Sequence, residues 1–411
     1  MATIQPFQCV RPNRELVSRV AALPYDVYNR KEAYQEAKKD SLSFLNIDRP
    51  ETQFDESMDM YDEKVYQKAR ELYEDRLADG TYIKDTDQSY YIYELIMNGR
   101  SQTGIVACAS IDDYLNNVIM KHENTREEKE QDRIHHVDTM NAQTGPIFLA
   151  YRSNEVISNV VQQVKQNPAL YAFTSEDGIT HNVWKVEKAT DVATIQHEFA
   201  NISQIYIADG HHRAASAVKV GLKRRKENPN YTGTEEFNYF LSVLFPEDQL
   251  MIMPYNRVVR DLNGLTKSEY LKKVSDYFEV IKEKEAVAPK TKCTFGMYLD
   301  NEWYLLTAKE EIASQKDPVA ALDVSILQNY LLNPILNIQD PRTDSRIDFI
   351  GGIRGLKELE RRVATDMVVA FSMYPTTIQE LFAVADAKQL MPPKSTWFEP
   401  KLRSGIFIHE I

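Results

Sequence analysis

Cysteine is scarce and scattered: Cys9, Cys108 and Cys293 are the three in 411 residues. An odd number with no Cys-x-x-Cys pair argues against a disulfide framework and for a reducing compartment. Basic charge is also in deficit, with 49 Lys and Arg against 61 Asp and Glu and a net charge of -12. That balance opposes nonspecific attraction to nucleic acid or anionic membranes, while leaving room for a local basic cleft. No apolar run reaches the roughly 18 residues a membrane-spanning helix needs. The opening MATIQPFQCV has no basic stretch leading into a long apolar one, so a cytoplasmic location is expected. HExxH, GxSxG, HRD and DFG motifs are missing, as are Walker and Rossmann glycine patterns. The familiar metalloprotease, hydrolase and protein-kinase templates therefore do not apply.

What is present reads as an α+β chain with mixed, largely antiparallel sheets and packed helices. Its length exceeds one usual core, so two closely associated lobes are expected, residues 1–262 and 263–411. No repeat, low-complexity tract or Gly/Ser linker separates them. Helices are predicted near residues 13–21, 29–39, 56–78, 155–165, 189–199, 267–284 and 319–336. The Asn98-Gly99 pair in YYIYELIMNGRSQTGIVACASI predicts a hairpin, and LYAFT/THNVWKV and FGMYLDNEWYLLTA predict two more. NYFLSVLF and MIMPYNRVV are expected to pair antiparallel across PEDQL. The charged run KHENTREEKEQDRIHH reads as a solvated helix.

The richest stretch is IYIADGHHRAA, a buried strand that breaks at Asp209-Gly210-His211-His212-Arg213 and resumes as a helix. Glycine at the break permits tight backbone geometry, and a helix start offers unpaired N–H groups and a positive dipole end. Arg213 can grip the same anion with two parallel bonds. The pattern predicts a phosphate or anion site. Its plainer rival is a solvated helix start on which Asp209 caps N–H groups. A metal reading is disfavoured, because adjacent histidines on a helix diverge by about 100° and no third ligand stands at chelating spacing.

Other constellations supplement it. KHENT follows an apparent strand: Glu123 could take a proton from a hydroxyl, and Lys121 or Arg126 could hold phosphate oxygens, against a surface-charge reading. Asp26 in LPYDV and Asp48 in FLNIDRPE are candidate magnesium ligands, but aspartates in Pro-bounded turns usually serve their own backbone. MPPKSTWFEPKLRSG carries Lys394, Ser395, Thr396, Lys401, Arg403 and Ser404 on a proline-braced loop suited to a phosphate, carboxylate or nucleobase. GGIRG adds Arg354 with little weight.

With PFQCVRP, LPYDV, FLNIDRPE, KHENT, ADGHHR and MPPKSTWFEPKLRSG in that order, the chain resembles a prokaryotic family of proteins of unknown function, family 1015. Its DGHHR box is similar to that of free-serine kinases, which belong to a superfamily with sulfiredoxin and the ParB nucleotide-binding proteins. The resemblance implies a ParB/sulfiredoxin-like core around that turn. It implies that Asp209, Gly210, His211, His212 and Arg213 contact nucleotide phosphates and Mg2+, with Asp209 as the metal ligand and a separate glutamate, here Glu123, as base.

The expected activity is transfer of phosphate from ATP or ADP to a small hydroxylated metabolite such as free serine. Positioning and charge neutralisation would do most of that work. His211 or His212 would assist proton movement, Lys121, Ser395 and Thr396 would contact the nucleotide, and Lys394 would close the site from the second lobe. The rivals are a ParB-type nucleotide-binding regulator and a noncatalytic ligand-binding protein. A homo-oligomer is left open.

Overall fold

The computed structural model describes every residue except Arg126, one of the two cations suggested as phosphate contacts, which lies outside the described residues. The chain divides into two compact units, Met1–Leu250 with Pro400–Ile411, and Met251–Glu399. The division falls at 250/251 rather than 262/263, and the C-terminal segment returns to the first unit. Both units mix helices with mostly antiparallel strands, the α+β class read from the sequence.

Among the described residues, unit 1 is built on a nine-stranded sheet. Its strands are β1 (Ile4–Gln5), β2 (Tyr91–Met97), β3 (Arg100–Ser110), β4 (Ile119–Met120), β5 (Ile147–Tyr151), β6 (Tyr171–Thr174), β7 (Thr180–Lys185), β8 (Ile205–Asp209) and β9 (Tyr239–Pro246). They lie in the order β4-β8-β5-β9-β3-β2-β7-β6, with β1 on β3. Two neighbour pairs are parallel, β4 with β8 and β5 with β9; the remainder are antiparallel. The β2–β3 hairpin turns at Asn98 and Gly99, with φ of 52° and 78°. Two left-handed residues match the strands' own twist, which is why an Asn-Gly pair is legible.

One sheet face packs on the helices Glu155–Val164 and Ala189–Asn201. Ile157, Val160, Val161, Ile195 and Phe199 meet Ile92, Ile105, Leu149 and Ile205 there. A second cluster gathers Phe44, Leu45, Ile47, Ala69, Tyr73, Tyr82 and Ile408. The helix carrying Ala69 and Tyr73 is α1 (Glu63–Ala78), which begins late against the expected 56–78 because Asp62 caps it, accepting from the Lys64 N–H.

The charged run forms α2 (Glu127–Met140), as a helix was expected to, but it is not simply solvated: Glu130, Asp132, Arg133 and His136 are buried. Their charges are matched locally. Arg133 pairs with Asp132 at 2.9 Å, Tyr66 donates to Asp132 at 2.9 Å, and His136 Nε2 meets the Ile47 carbonyl at 2.9 Å.

Unit 2 centres on a six-stranded antiparallel sheet among the described residues. Three expectations fail there. The helix foreseen over 267–284 stops at Val274, and Phe278–Glu283 pairs as a strand with Glu302–Ala308. The helical stretch foreseen over 319–336 is regular only from Asp323 to Leu332, with π-type turns in its second half. NYFLSVLF does not pair with MIMPYNRVV; β9 lies between β3 and β5, while Tyr255–Val259 pairs inside unit 2. PEDQL ends at the unit boundary, so the strands on either side of it are sequence neighbours but not sheet neighbours.

Asp323 sets a pH dependence in unit 2. Burial pushes its carboxyl up to about 7, aided by Glu380 and opposed by the Cys293 N–H, which both oxygens accept at 3.0 Å, and by Lys292. The folded state holds the proton more tightly than the unfolded chain. This contribution is therefore complete below the ordinary value of 3.8 and is lost as pH rises through about 7. Melting temperature is expected to fall between pH 4 and 8 by an amount worth a few kcal/mol, on the order of one kcal/mol per pH step. Asp323→Asn keeps an acceptor for Cys293 and should flatten that slope; an unchanged slope in a pH-melting series would refute the assignment.

Candidate functional site

The short parallel pair positions the site. Ile119 stands opposite Ile205 and Met120 opposite Tyr206, so β4 and β8 release their chains at the same sheet end. Lys121-His122-Glu123 leaves one strand and Asp209-Gly210-His211 the other. Ligands gather beyond such carboxyl ends in parallel α/β arrangements. A register shift between Ile207 and Asp209 on the β5 side locally re-aims the exit of β8.

Gly210 then opens α3 (His211–Glu227) in the left-handed region, φ 92° and ψ 31°. A side chain at 210 would be strained there, and its Cβ would stand 3.1 Å from Nε and Nη2 of Arg213. The guanidinium thus lies back over the glycine, anchored by a 2.6 Å bond from Nη1 to the Pro146 carbonyl. The helix start remains beside it, as the strand-turn-helix reading required.

Asp209 is bound on both oxygens: Oδ1 accepts from the Gly210 N–H at 2.9 Å and Oδ2 meets Lys401 Nζ at 3.1 Å. Burial favours its protonation, but Lys401 and Arg213 outweigh burial and hold the carboxyl well below the usual range. His211 is 6% exposed and His122 2%. Burial drives the His122 pKa down to about 4, against a hydrogen bond to the Ile207 backbone. Burial, followed by the neighbouring His122, takes His211 well below its ordinary value. The two rings stand edge to face, centroids 4.5 Å apart. Glu123 Oε2 is 4.0 Å from His211 Nδ1 on the half-exposed side of the cluster.

The other sequence candidates distribute differently. Lys121 lies with Nζ 4.3 Å from the Tyr114 ring centroid, a cation–π seat. His212 is half-buried, and its carbonyl accepts from Ser216 Oγ at 2.7 Å. Lys394, Ser395 and Thr396 belong to unit 2, and there the loop serves its own backbone: Arg257 Nη2 donates to the Lys394 carbonyl at 3.0 Å, Ser395 Oγ to the Pro392 carbonyl at 2.6 Å, and Thr376 Oγ1 to the Ser395 carbonyl at 2.9 Å. The residues of this motif that reach the site come after Glu399. Lys401 meets Asp209, and Ser404 lines the cavity described next.

That cavity encloses about 30 Å³ and is walled by Tyr25, Asp48, Arg133, Thr144, Arg213 and Ser404 among others. It is lined by charged, polar and apolar groups and holds roughly two waters, far too little for a nucleoside. LPYDV, FLNIDRPE, DGHHR and RSG thus converge on one place. Thr144 Oγ1 donates to Asp48 Oδ1 at 3.0 Å, and the Arg133 guanidinium carbon sits 4.1 Å from the Tyr25 ring centroid. Asn46 and Arg49 are structural: Asn46 Nδ2 donates to the Asp40 and Ser43 carbonyls at 3.0 Å, and Arg49 bridges Glu51 to the Tyr25 and Tyr28 carbonyls.

The sequence reading missed His122 as a site residue and set a histidine-bound metal aside. The folded chain brings one potential ligand atom each of His122, Glu123 and His211 within 4.8 Å of one another, a proximity that local spacing did not show. Arg133 and Thr144 were missed as well. Arg133 sits in the charged helix and Thr144 just before β5, and neither position reveals which elements become neighbours.

The chain belongs to the family described as protein of unknown function (DUF1015), whose profile matches residues 4–325. The matched span includes PFQCVRP through ADGHHR and ends before MPPKSTWFEPKLRSG. No curated protein matches the chain. Among solved structures, it is similar to a free serine kinase in complex with AMP, at 14% identity and a TM-score of 0.34, covering 74% of this chain and 91% of the kinase. It is also similar to SbnI with a C-terminal truncation from Staphylococcus aureus, at 10% identity and a TM-score of 0.38, over 72% of this chain and 82% of the other. A conserved hypothetical protein from Pyrococcus furiosus matches at 13% identity and a TM-score of 0.34, over 74% and 94%. Among the described residues, no helix is long and apolar enough to cross a membrane.

Proposed function

We propose that the chain is a phosphotransferase that moves phosphate from ATP or ADP to a hydroxyl of a small metabolite, free serine being the first to try. The observation that supports it best is the helix start at Gly210, flanked by Arg213 and Asp209, with Glu123 at the same strand end. Phosphoryl transfer asks for positioning and charge stabilisation more than for covalent help. The first-turn N–H groups of α3 and the free edge of Arg213 would hold phosphoryl oxygens.

Glu123 would take the proton from the acceptor hydroxyl, its half-exposed carboxylate being accessible to a small molecule. Neutral His211, and His212 beside it, would relay that proton. Lys401 keeps Asp209 ionised and directed at the turn. The donor set suits magnesium only in part, since one carboxylate already engaged by Lys401 makes an incomplete cage. Asp209 would hold an ion carried mainly by nucleotide oxygens and water, and that ion would supply charge neutralisation.

Incubation with ATP or ADP, Mg2+ and a panel of hydroxylated amino acids, followed by phosphorus NMR, should reveal a phosphomonoester. Glu123→Gln should lower turnover by about 10²- to 10⁴-fold while nucleotide affinity changes little. Nucleotide binding without any product across the panel would favour the regulator reading; absence of both binding and product would end this one.

A further inference from the structure

We propose that His122, His211 and Glu123 form a binding site for a divalent transition-metal ion of the zinc class, with two imidazoles and one carboxylate as protein ligands and at least one position open. One ligand atom from each residue lies within 4.8 Å of the other two. Metal–ligand bonds of about 2.0–2.2 Å place neighbouring ligand atoms roughly 3–3.5 Å apart. Modest side-chain rotation therefore suffices to close the triad on an ion.

Orphaned polar atoms are the second observation. His122 Nδ1 and His211 Nε2 are buried without a hydrogen-bond partner. Buried polar atoms are nearly always satisfied, and the bare Nδ1 of His122 beside the His211 ring is one that an ion would satisfy; His211 faces Glu123 through Nδ1. β4 delivers His122 and β8 delivers His211, so one strand pair places both imidazoles.

The donor set selects the metal class. Two nitrogens and one oxygen suit zinc, cobalt, manganese or iron, whereas calcium and magnesium prefer oxygen cages. Three protein ligands and an open position match catalytic rather than structural zinc sites. The open side coincides with Glu123, whose side chain is 44% exposed beside rings that are nearly sealed. Glu123 gives one oxygen to the ion. The site does not depend on phosphate transfer, and the ion is measured without nucleotide.

The test uses the full chain, stripped with a chelator and dialysed, then titrated with Co2+ followed by its visible ligand-field band, and with Zn2+ by calorimetry. One equivalent should bind, and His122→Ala, His211→Ala and Glu123→Gln should each weaken zinc by about 100-fold or more, beyond the 10- to 100-fold typical of outer-shell changes. His197→Ala, on an exposed residue elsewhere, should match the parent. Glu123→Gln changes a half-exposed side chain, so circular dichroism should report a folded variant even where a histidine variant fails. No cobalt band with a folded parent, or unchanged zinc affinity in folded Glu123→Gln and His122→Ala, would overturn the site. Zinc binding without phosphotransfer would leave this inference standing and remove only the kinase reading; phosphotransfer without zinc or cobalt binding would do the reverse.

Discussion

Gly405→Ala is expected to destabilise unit 1 by about 2–5 kcal/mol, one of the largest losses any single methyl group can cause in this chain. Two costs coincide. Gly405 has φ 82°, a left-handed conformation that L side chains rarely adopt, and an added Cβ would lie 2.4 Å from Cγ and 2.6 Å from Cβ of Phe44. The obstacle is the root of a ring, not a flexible tip. Phe44 is fully buried, stands edge-on to Tyr82 at 6.2 Å, and has its N–H on the Val20 carbonyl. It cannot withdraw without opening the core of Leu45, Ile47 and Tyr73.

Gly80→Ala supplies the control. Its φ of 80° is nearly the same, but nothing lies within 4 Å of the new methyl group, so only the backbone cost of about 1 kcal/mol applies. Denaturation followed by hydrogen exchange in the β2–β3 hairpin should place Gly405→Ala well below Gly80→Ala. Equal losses would show that Phe44 yields freely. The site should feel the change too. The Gly405 N–H bonds the Thr144 carbonyl at 3.3 Å, Tyr82 donates to the Gly405 carbonyl at 3.2 Å, and Ser404 exchanges backbone bonds with Ala22.

The particular elements explain what was legible in the sequence. Hairpins at Asn98-Gly99 and Asp300-Asn301 announce themselves because each turn needs two left-handed residues, and only a few residue types accept that. The strand, glycine and helix of IYIADGHHR are equally local. The stretch after Val274 misled because Glu279, Lys282, Glu283 and Lys284 are good helix formers, while the ladder to Glu302–Ala308 overrides that preference. Non-local convergence left the weakest trace. β4 contains two residues, Ile119 and Met120, too few for any periodicity, yet its pairing with β8 brings His122 to His211. Charge pattern alone likewise could not distinguish a solvated α2 from one whose Arg133 is sealed against Asp132 and Tyr25. The proline-braced C-terminal motif was read as one functional loop, whereas the unit boundary passes through it, between Glu399 and Pro400.

Arg213→Ala should weaken ADP binding by about 10- to 100-fold, the loss of a charge-assisted contact worth roughly 1.5–3 kcal/mol. Arg213 is suited to this role because its fork is already half committed. Nη1 is fixed on the Pro146 carbonyl, which sets the plane of the guanidinium across Gly210 and leaves the remaining donors for phosphate. A lysine cannot hold the carbonyl and an anion in that geometry, so Arg213→Lys should recover only a minor part of the affinity despite keeping the charge. Gly210→Ala should also weaken ADP without removing a charge, since the new methyl group meets the guanidinium at 3.1 Å and strains a backbone at φ 92°. Calorimetry at two salt concentrations separates these causes: the alanine variant at 213 should lose salt dependence, whereas the alanine variant at 210 should keep it. ADP affinity within twofold of the parent in folded Arg213→Ala would place the phosphates elsewhere and leave the arginine as a brace between the helix start and the Pro146 turn.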